Sequence, residues 1–378
     1  MKPDTILAQA GSRRDANTGA ISMPVHLSVA FQHPALGQST GFDYSRTGNP
    51  TRQALEQTVA EYEGGAKALA FSSGLAAIDA VMRLFSHGDA IVVTEDIYGG
   101  TFRLFEQFGR PLNLRFLYVD TSDTGAVDRA LRSPGVKGLF VELPTNPLLK
   151  VADLAALGKL AQARNILYIV DNTFLTAAAC RPFDYGADIT VYSATKYLGG
   201  HNDVLGGIAA AKSDELGERL AYLQNATGAV LGPFESWLLL RSLKTLPLRL
   251  KKHEENALIV AEFLNRHPKV KNLHYPGLVS DPGHAVLSGQ SGSFGGMIAF
   301  EVDSRARVEH ILASVKVFMF AESLGGTESL VTFPVVQTHA AFDADTLARL
   351  GLTDCLLRLS IGLEDADDLL NDLSAVLD

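Results

Sequence analysis

Cysteine and tryptophan are scarce: the 378-residue chain holds two Cys and one Trp. Cys180 and Cys355 lie far apart and form no metal-spaced pair. That excludes a disulfide scaffold and a thiolate metal site, fits a reducing cytoplasm, and leaves the two thiols as inert packing. Basic charge is not in excess either. The 33 Lys and Arg face 42 Asp and Glu, a net charge of −9, which excludes whole-molecule attraction to nucleic acid or anionic lipid while allowing a local pocket for a small anion. No apolar run approaches the roughly 20 residues needed to cross a membrane. The opening MKPDTILAQAGSRRDAN lacks the apolar core of a signal peptide. Repeats and low-complexity stretches are absent. What is present is ordinary for a folded chain: 47% apolar and 20% charged residues exclude general disorder. At roughly 100–200 residues per domain, the length implies two or three domains.

Residues 1–50 are rich in Gly, Ser, Thr, Asn and Pro and weakly periodic, so they read as an extended arm lying on a partner subunit. From residue 51 the pattern changes. TRQALEQTVAEYEGG is a helix ended by Gly64 and Gly65. ALAFSSG, AIVVTED, LRFLYVD, KGLFVELP, ILYIVDNTF and ADITVYSATK are apolar strands, interleaved with helical stretches such as LAAIDAVMRLF and VADLAALGKLAQARN. Alternating strands and helices imply parallel β–α–β units, with ligands bound beyond the carboxyl ends of the strands. Long helices follow from about 212 to 265, then the strand-like GGMIAFEV and LLRLSIG and an acidic last helix. The expected organisation is α/β: arm 1–50, a mostly parallel sheet domain 51–240, and a smaller α+β domain 241–378.

Several residues fall where strands end. Ser73 and Gly74 sit at a strand-to-helix junction, where free N–H groups and the helix dipole hold phosphate; a plain serine cap reads equally well. Asp171 closes an apolar strand. It suits a catalytic acid, a metal ligand, the partner of a protonated ring nitrogen, or a cap on the next turn. Lys196 follows another strand, where burial would lower its pKa and make it a Schiff-base nucleophile; alternatively it snorkels. Ser193 and Thr195 flank it with hydroxyls suited to phosphate, and Tyr98 is either a stacking ring or a turn residue. Taken together, a phosphate turn, an acid and a lysine at the ends of one sheet are what pyridoxal 5′-phosphate requires. His201 and His339 lack second ligands at suitable spacing, so no metal is expected.

At this point the chain resembles a known family, the Cys/Met-metabolism enzymes dependent on pyridoxal phosphate. The resemblance rests on FDYSRTGNPTR, FSSGLAAI, EDIYGGTFRLFE, PTNPLLKV, IVDNTF, YSATKYLGGHNDV, FAESLGGTESL and LLRLSIGLED, in order along nearly the whole chain. It implies the fold of aspartate-aminotransferase-like, fold type I enzymes. It also implies Lys196 as Schiff-base lysine, helped into position by Ser323, with Asp171 on the pyridine nitrogen, Tyr98 on the ring and Asn146 beside it. Ser73, Gly74, Leu75, Ser193 and Thr195 would hold the phosphate; Leu75 stands where the family usually has Met. Tyr44 and Arg46 would reach the phosphate of a neighbouring subunit, in dimers that pair into tetramers. Arg358 would clamp the substrate α-carboxylate, with Asn146, Ser323, Glu322 and Asp43 near the substrate. The implied chemistry is transsulfuration: γ-replacement on O-acylhomoserine by cysteine or sulfide, or cleavage of cystathionine. Glu322 replaces the tyrosine of the enteric-type β-lyase branch, and Asp43 leans towards γ-synthase over γ-lyase. Two other readings are open, a non-catalytic binding protein and an aminotransferase on the same fold. The set Lys196, Asp171, Tyr98 and Arg358 opposes the first, and the arm motif YSRTGNPTR the second.

Overall fold

A computed structural model describes residues 1–377. Seven strands form the larger sheet: β1 (Lys67–Phe71), β2 (Ala90–Thr94), β3 (Arg115–Val119), β4 (Val136–Glu142), β5 (Leu167–Asp171), β6 (Ile189–Ser193) and β7 (Gly207–Ala211), in the order β1-β7-β6-β5-β4-β2-β3. Only β7 runs against its neighbours. Alternate residues feed two cores. Leu139, Val141 and Val170 pack beneath helices Pro50–Glu63 and Leu154–Gln162. Phe140, Ile169 and Val191 pack beneath helices Gly74–Met82 and Asp214–Thr227. With both faces covered, the strands need no polar alternation, which is why they read as apolar runs.

Local chemistry sets the helix ends that matter. Asn49 caps Pro50–Glu63, Pro50 presets the first turn, and Gly64 at φ 72° closes it. Ser73 caps Gly74–Met82 by accepting from the Ala76 N–H at 3.1 Å.

The smaller sheet contains β8 (Val270–His274), β9 (Met297–Val302), β10 (Met319–Phe320), β11 (Leu330–Thr332) and β12 (Leu356–Ser360), in the order β10-β11-β12-β9-β8. It packs against helix Ala366–Leu377 and the distal half of helix Leu246–Arg266. That 21-residue helix spans both units. Leu246 and Leu250 belong to a core of the large sheet, while Ala257, Val260 and Leu264 belong to the core of the small one.

The first 50 residues are not uniform. Ile6, Leu7, Ala10 and Met23 are buried in a core of the large sheet, so the opening segment has more core of its own than its composition suggests. The extended arm lies beyond it, where Leu27 and Val29 are exposed and the Phe31 N–H donates to the Asp43 carbonyl.

Candidate active site

The carboxyl ends of β1, β2, β4, β5 and β6 open into one cavity of about 200 Å³. Its lining includes Ser73, Gly74, Leu75, Tyr98, Asn146, Asp171, Ser193, Thr195, Lys196, Glu322, Ser323 and Arg358. Those twelve expected residues therefore come together. Asp43, Tyr44 and Arg46 do not line it. Asp43 lies 3.0 Å from the His33 Nε2 and accepts from the Ser39 hydroxyl. Arg46 donates to the carbonyl and the side-chain oxygen of Asn225 at 2.7 and 2.8 Å and lies over the half-exposed Tyr44 ring.

One wall is an anion cradle. The Gly74 and Leu75 N–H groups begin a nine-residue helix and have no backbone acceptor. A Cβ on Gly74 would meet the Cα and Cβ of Ser193 at 3.0 Å, so only glycine brings this turn so near β6. The Thr195 hydroxyl is engaged with the Gly206 backbone, donating at 3.2 Å and accepting at 3.1 Å.

The same cavity is lined by titratable groups. Lys196 Nζ donates to Ser323 Oγ at 2.9 Å. Burial, reinforced by the Arg358 charge and opposed by Glu322, brings the amine down to about 8. Ser323 has φ 143°, unusual for a residue with a Cβ; its carbonyl accepts from Arg358 Nη2 at 3.1 Å. Asp171 Oδ1 accepts from the Thr173 N–H and hydroxyl at 3.0 and 2.6 Å, leaving Oδ2 without a protein partner. Burial raises its carboxyl to about 6, against those two bonds. Burial also raises the Tyr98 phenol, and Glu322 adds to the shift. Arg358 is 1% exposed. It donates to Asn146 Oδ1 at 2.7 Å and to Thr332 Oγ1 at 3.3 Å, and its Nε has no partner. Burial lowers the guanidinium to about 10.

Glu142 was not anticipated. It ends β4 directly beside Asp171 in register, lines the cavity, and accepts from the Tyr98 N–H at 3.0 Å. Burial and the neighbouring Asp171 carboxylate push it well above the usual range. Two adjoining buried carboxyls resist ionising together. A carboxylate closing the apolar run KGLFVE is the same signal that marked Asp171. Of the two histidines considered, His201 sets Nδ1 2.7 Å from the Gly199 carbonyl, and His339 is fully buried with Nδ1 2.9 Å from Thr338 Oγ1. Among the described residues no His, Cys, Asp and Glu group could hold a metal ion.

The arrangement suits a phosphorylated aldehyde cofactor with a basic ring nitrogen. The glycine cradle and its two free N–H groups fit a phosphate, the uncommitted Asp171 Oδ2 fits a ring N–H, and a part-buried amine near neutrality fits a carbonyl. A fold of this kind with such a site defines a pyridoxal 5′-phosphate-dependent enzyme.

The family model for Cys/Met metabolism PLP-dependent enzymes matches residues 4–378, and the chain belongs to that family. It is 48% identical over 378 residues to a cystathionine gamma-lyase of Bacillus subtilis, covering 100% of both chains. It is 46% identical over 371 residues to a cystathionine gamma-synthase of Haemophilus influenzae, covering 98% of this chain and 96% of the other. Relatives named cystathionine beta-lyase match at 44% and 43% identity. Among solved structures, a cystathionine gamma-synthase of Xanthomonas oryzae in complex with cystathionine superposes with a TM-score of 0.98 at 41% identity, covering 100% of this chain and 98% of that one. The protein is therefore a PLP-dependent enzyme of sulfur amino-acid metabolism, with gamma-synthases and C–S lyases as relatives. No helix among the described residues is long and apolar enough to cross a membrane.

Proposed function

We propose that the protein carries out γ-replacement on an O-acylhomoserine, with cysteine, and secondarily sulfide, as the incoming nucleophile. The observation that carries this reading is the convergence of Lys196, Asp171 and Arg358 on one cavity whose rim holds the exposed Glu322. When bound, pyridoxal phosphate supplies an electron sink for the charge left by the departing α-proton. The chain's own groups do the rest. Ser73, Gly74, Leu75, Ser193 and Thr195 would grip the phosphate. Asp171 Oδ2 would hold the proton on the ring nitrogen, with Tyr98 and Asn146 also available to the ring from the cavity lining. Arg358 pairs with the substrate carboxylate and fixes its Cα. Lys196 Nζ, near 8, takes the α-proton and returns a proton later, which one amine manages when its pKa lies close to the working pH.

The arm completes the site in a second copy. Tyr44 and Arg46 lie outside their own cavity on an extended segment with exposed Leu27 and Val29, and that segment suits a neighbour's surface. The reading includes a dimer with shared sites, paired into a tetramer, in the cytoplasm. There Asp43 would offer a carboxylate to the ammonium of the incoming cysteine.

A second reading is γ-cleavage of cystathionine, favoured by the 48% identity to the Bacillus subtilis gamma-lyase. Product analysis on the cofactor-loaded enzyme separates the two. It is given O-acetylhomoserine with cysteine, and separately cystathionine alone. Cystathionine formation well above cleavage supports γ-replacement. Dominant release of cysteine and 2-oxobutanoate overturns it and makes the enzyme a lyase. Lys196→Ala should abolish turnover in both assays and the absorbance of the lysine-linked cofactor.

A further inference from the structure

Helix Leu246–Arg266 carries three buried polar side chains on one face. Arg249, His253 and Asn256 are spaced four and three residues apart and are 5%, 0% and 0% exposed. Polar groups so deep are costly unless they are hydrogen-bonded. Each holds a main-chain carbonyl of a segment next to the cavity. Arg249 Nη1 donates to the Tyr197 carbonyl at 2.8 Å and Nη2 to the Ser242 carbonyl at 3.0 Å, while Nε bonds Thr245 Oγ1 at 3.1 Å. His253 Nδ1 meets the Ile361 carbonyl at 2.5 Å, and its ring stands edge-on to Tyr197 with centroids 5.2 Å apart. Asn256 Nδ2 donates to the Gly362 and Glu364 carbonyls at 3.1 and 2.8 Å.

Tyr197 is the residue after Lys196. Ile361 lies three residues beyond Arg358, at the end of β12. The same stripe therefore grips the chain beside the lysine in the large unit and beside the arginine in the small one. The fit is close at both ends. A Cβ on Gly200 would fall 1.9 Å from Arg249 Nη1, and one on Gly296 would fall 2.9 Å from the His253 Cβ. Gly325, two residues after Ser323, also packs on Tyr197: its Cβ would lie 2.8 Å from that residue's N. All three bonds of Arg249 go to neutral oxygens, so the guanidinium acts as a fork for carbonyls and not as half of an ion pair.

We propose that Arg249, His253 and Asn256 are positioning residues: a polar stripe that sets Lys196 at a fixed distance and angle from Arg358, and so sets the lysine amine over the Cα of a substrate held by its carboxylate. The inference rests on the roles proposed above for those two residues. It requires no contact between the stripe and the substrate. Its effect is on geometry, to which proton transfer is steeply sensitive: a displacement of about 1 Å costs on the order of 100-fold in rate. His253 is kept neutral, burial lowering it to about 4, and a neutral ring facing the Ile361 carbonyl carries its one proton on Nδ1, leaving Nε2 without a partner.

The test is Arg249→Lys in the full-length, cofactor-loaded enzyme. It keeps the charge and loses the fork. Four quantities are read: kcat and KM for O-acetylhomoserine with cysteine, visible circular dichroism of the bound cofactor, and the melting temperature. Expected is a kcat lower by about 100-fold with KM within about threefold, together with loss of at least about half the visible dichroism because the lysine's linkage is reoriented. Unchanged kcat and dichroism beside a lowered melting temperature would mean that the stripe only stabilises the fold, and would overturn the proposal. Should Arg249→Lys not fold, Asn256→Ser carries the same test from the far end of the stripe, with the same split between kcat and KM expected and the same null result overturning it. Lys196→Ala serves as the control. If that variant keeps the linked-cofactor absorbance, the assignment of the lysine fails. If it loses the absorbance while Arg249→Lys behaves as wild type, only the stripe fails.

Discussion

Replacing Arg358 by lysine tests the proposed grip on the substrate. Of the five N–H donors of an arginine, three are spent here, on Asn146 Oδ1, the Ser323 carbonyl and Thr332 Oγ1, and the partnerless Nε is among those left over. Lysine keeps the charge but loses the planar fork and the preset direction of Nε. One charge-assisted hydrogen bond is worth about 1.5–3 kcal/mol, and each 1.36 kcal/mol is about tenfold in rate. The expected fall in kcat/KM for O-acetylhomoserine is therefore between about 10- and 150-fold. A second effect should appear in stability. A lysine ammonium reaches one of the two strongest acceptors, Asn146 Oδ1 or the Ser323 carbonyl, and leaving the other bare in a buried site costs about 1–3 kcal/mol of unfolding free energy, read by urea titration. The two readouts separate the roles. If stability falls while kcat/KM stays within about threefold, Arg358 is only a strut between Asn146 and the Ser323 turn. The carboxylate grip would then lie elsewhere.

Much of this fold is legible in the sequence because both faces of the large sheet are covered. The six parallel strands then appear as uninterrupted apolar runs ending in polar residues, and the ends of those runs are where the cavity forms. Lys196 and Asp171 stand out for the same reason: each is a charge where an apolar run stops. β7 escaped notice. Its sequence, GIAAA, has little strand preference, and its small residues answer a demand invisible along the chain: a Cβ at Gly207 would lie 2.0 Å from the Ser73 carbonyl, at the turn into helix Gly74–Met82. Glu142 carried the signal that marked Asp171, yet its importance lies in pairing, since it becomes unusual only beside a second carboxyl in register. Arg358 and Asn146 are 212 residues apart, and no local pattern predicts their bond. The burial of Ile6 and Leu7 is equally remote, because a short helix in a polar segment gains its core only from elements folded elsewhere. Local chemistry is thus readable where a strand ends, while the partners that tune it come from tertiary contacts.

Three further substitutions probe the other walls of the site and a buried carboxyl behind it. Asp171→Asn removes the charge proposed to face the ring nitrogen and should lower kcat at least tenfold, as expected for a lost bond of about 1.5–3 kcal/mol to a charged group; unchanged kcat would contradict the assignment. Gly74→Ala puts a methyl 3.0 Å from Ser193 and must shift the cradle, so titration of the apoprotein with pyridoxal phosphate should show affinity weaker by about tenfold, the loss of one such bond. Glu63→Gln concerns stability against pH. Glu63 is 3% exposed and accepts from the hydroxyls of Tyr192 and Thr190, and burial raises its carboxyl from 4.5 to about 7, against those bonds. Below pH 4.5 the group is protonated in both folded and unfolded chains. Between 4.5 and 7 the unfolded chain ionises while the folded one does not, so stability is lost as pH rises, and the loss is complete above 7. A shift of 7 − 4.5 = 2.5 units at 1.36 kcal/mol each bounds that loss at about 3 kcal/mol. Glutamine does not titrate and keeps an acceptor for Tyr192. Urea unfolding at pH 4 should therefore find variant and wild type alike, with the variant gaining about 1–3 kcal/mol over wild type at pH 8. An equal gap at both pH values would mean that Glu63 stays ionised inside the fold and that Tyr192 and Thr190 compensate its burial in full.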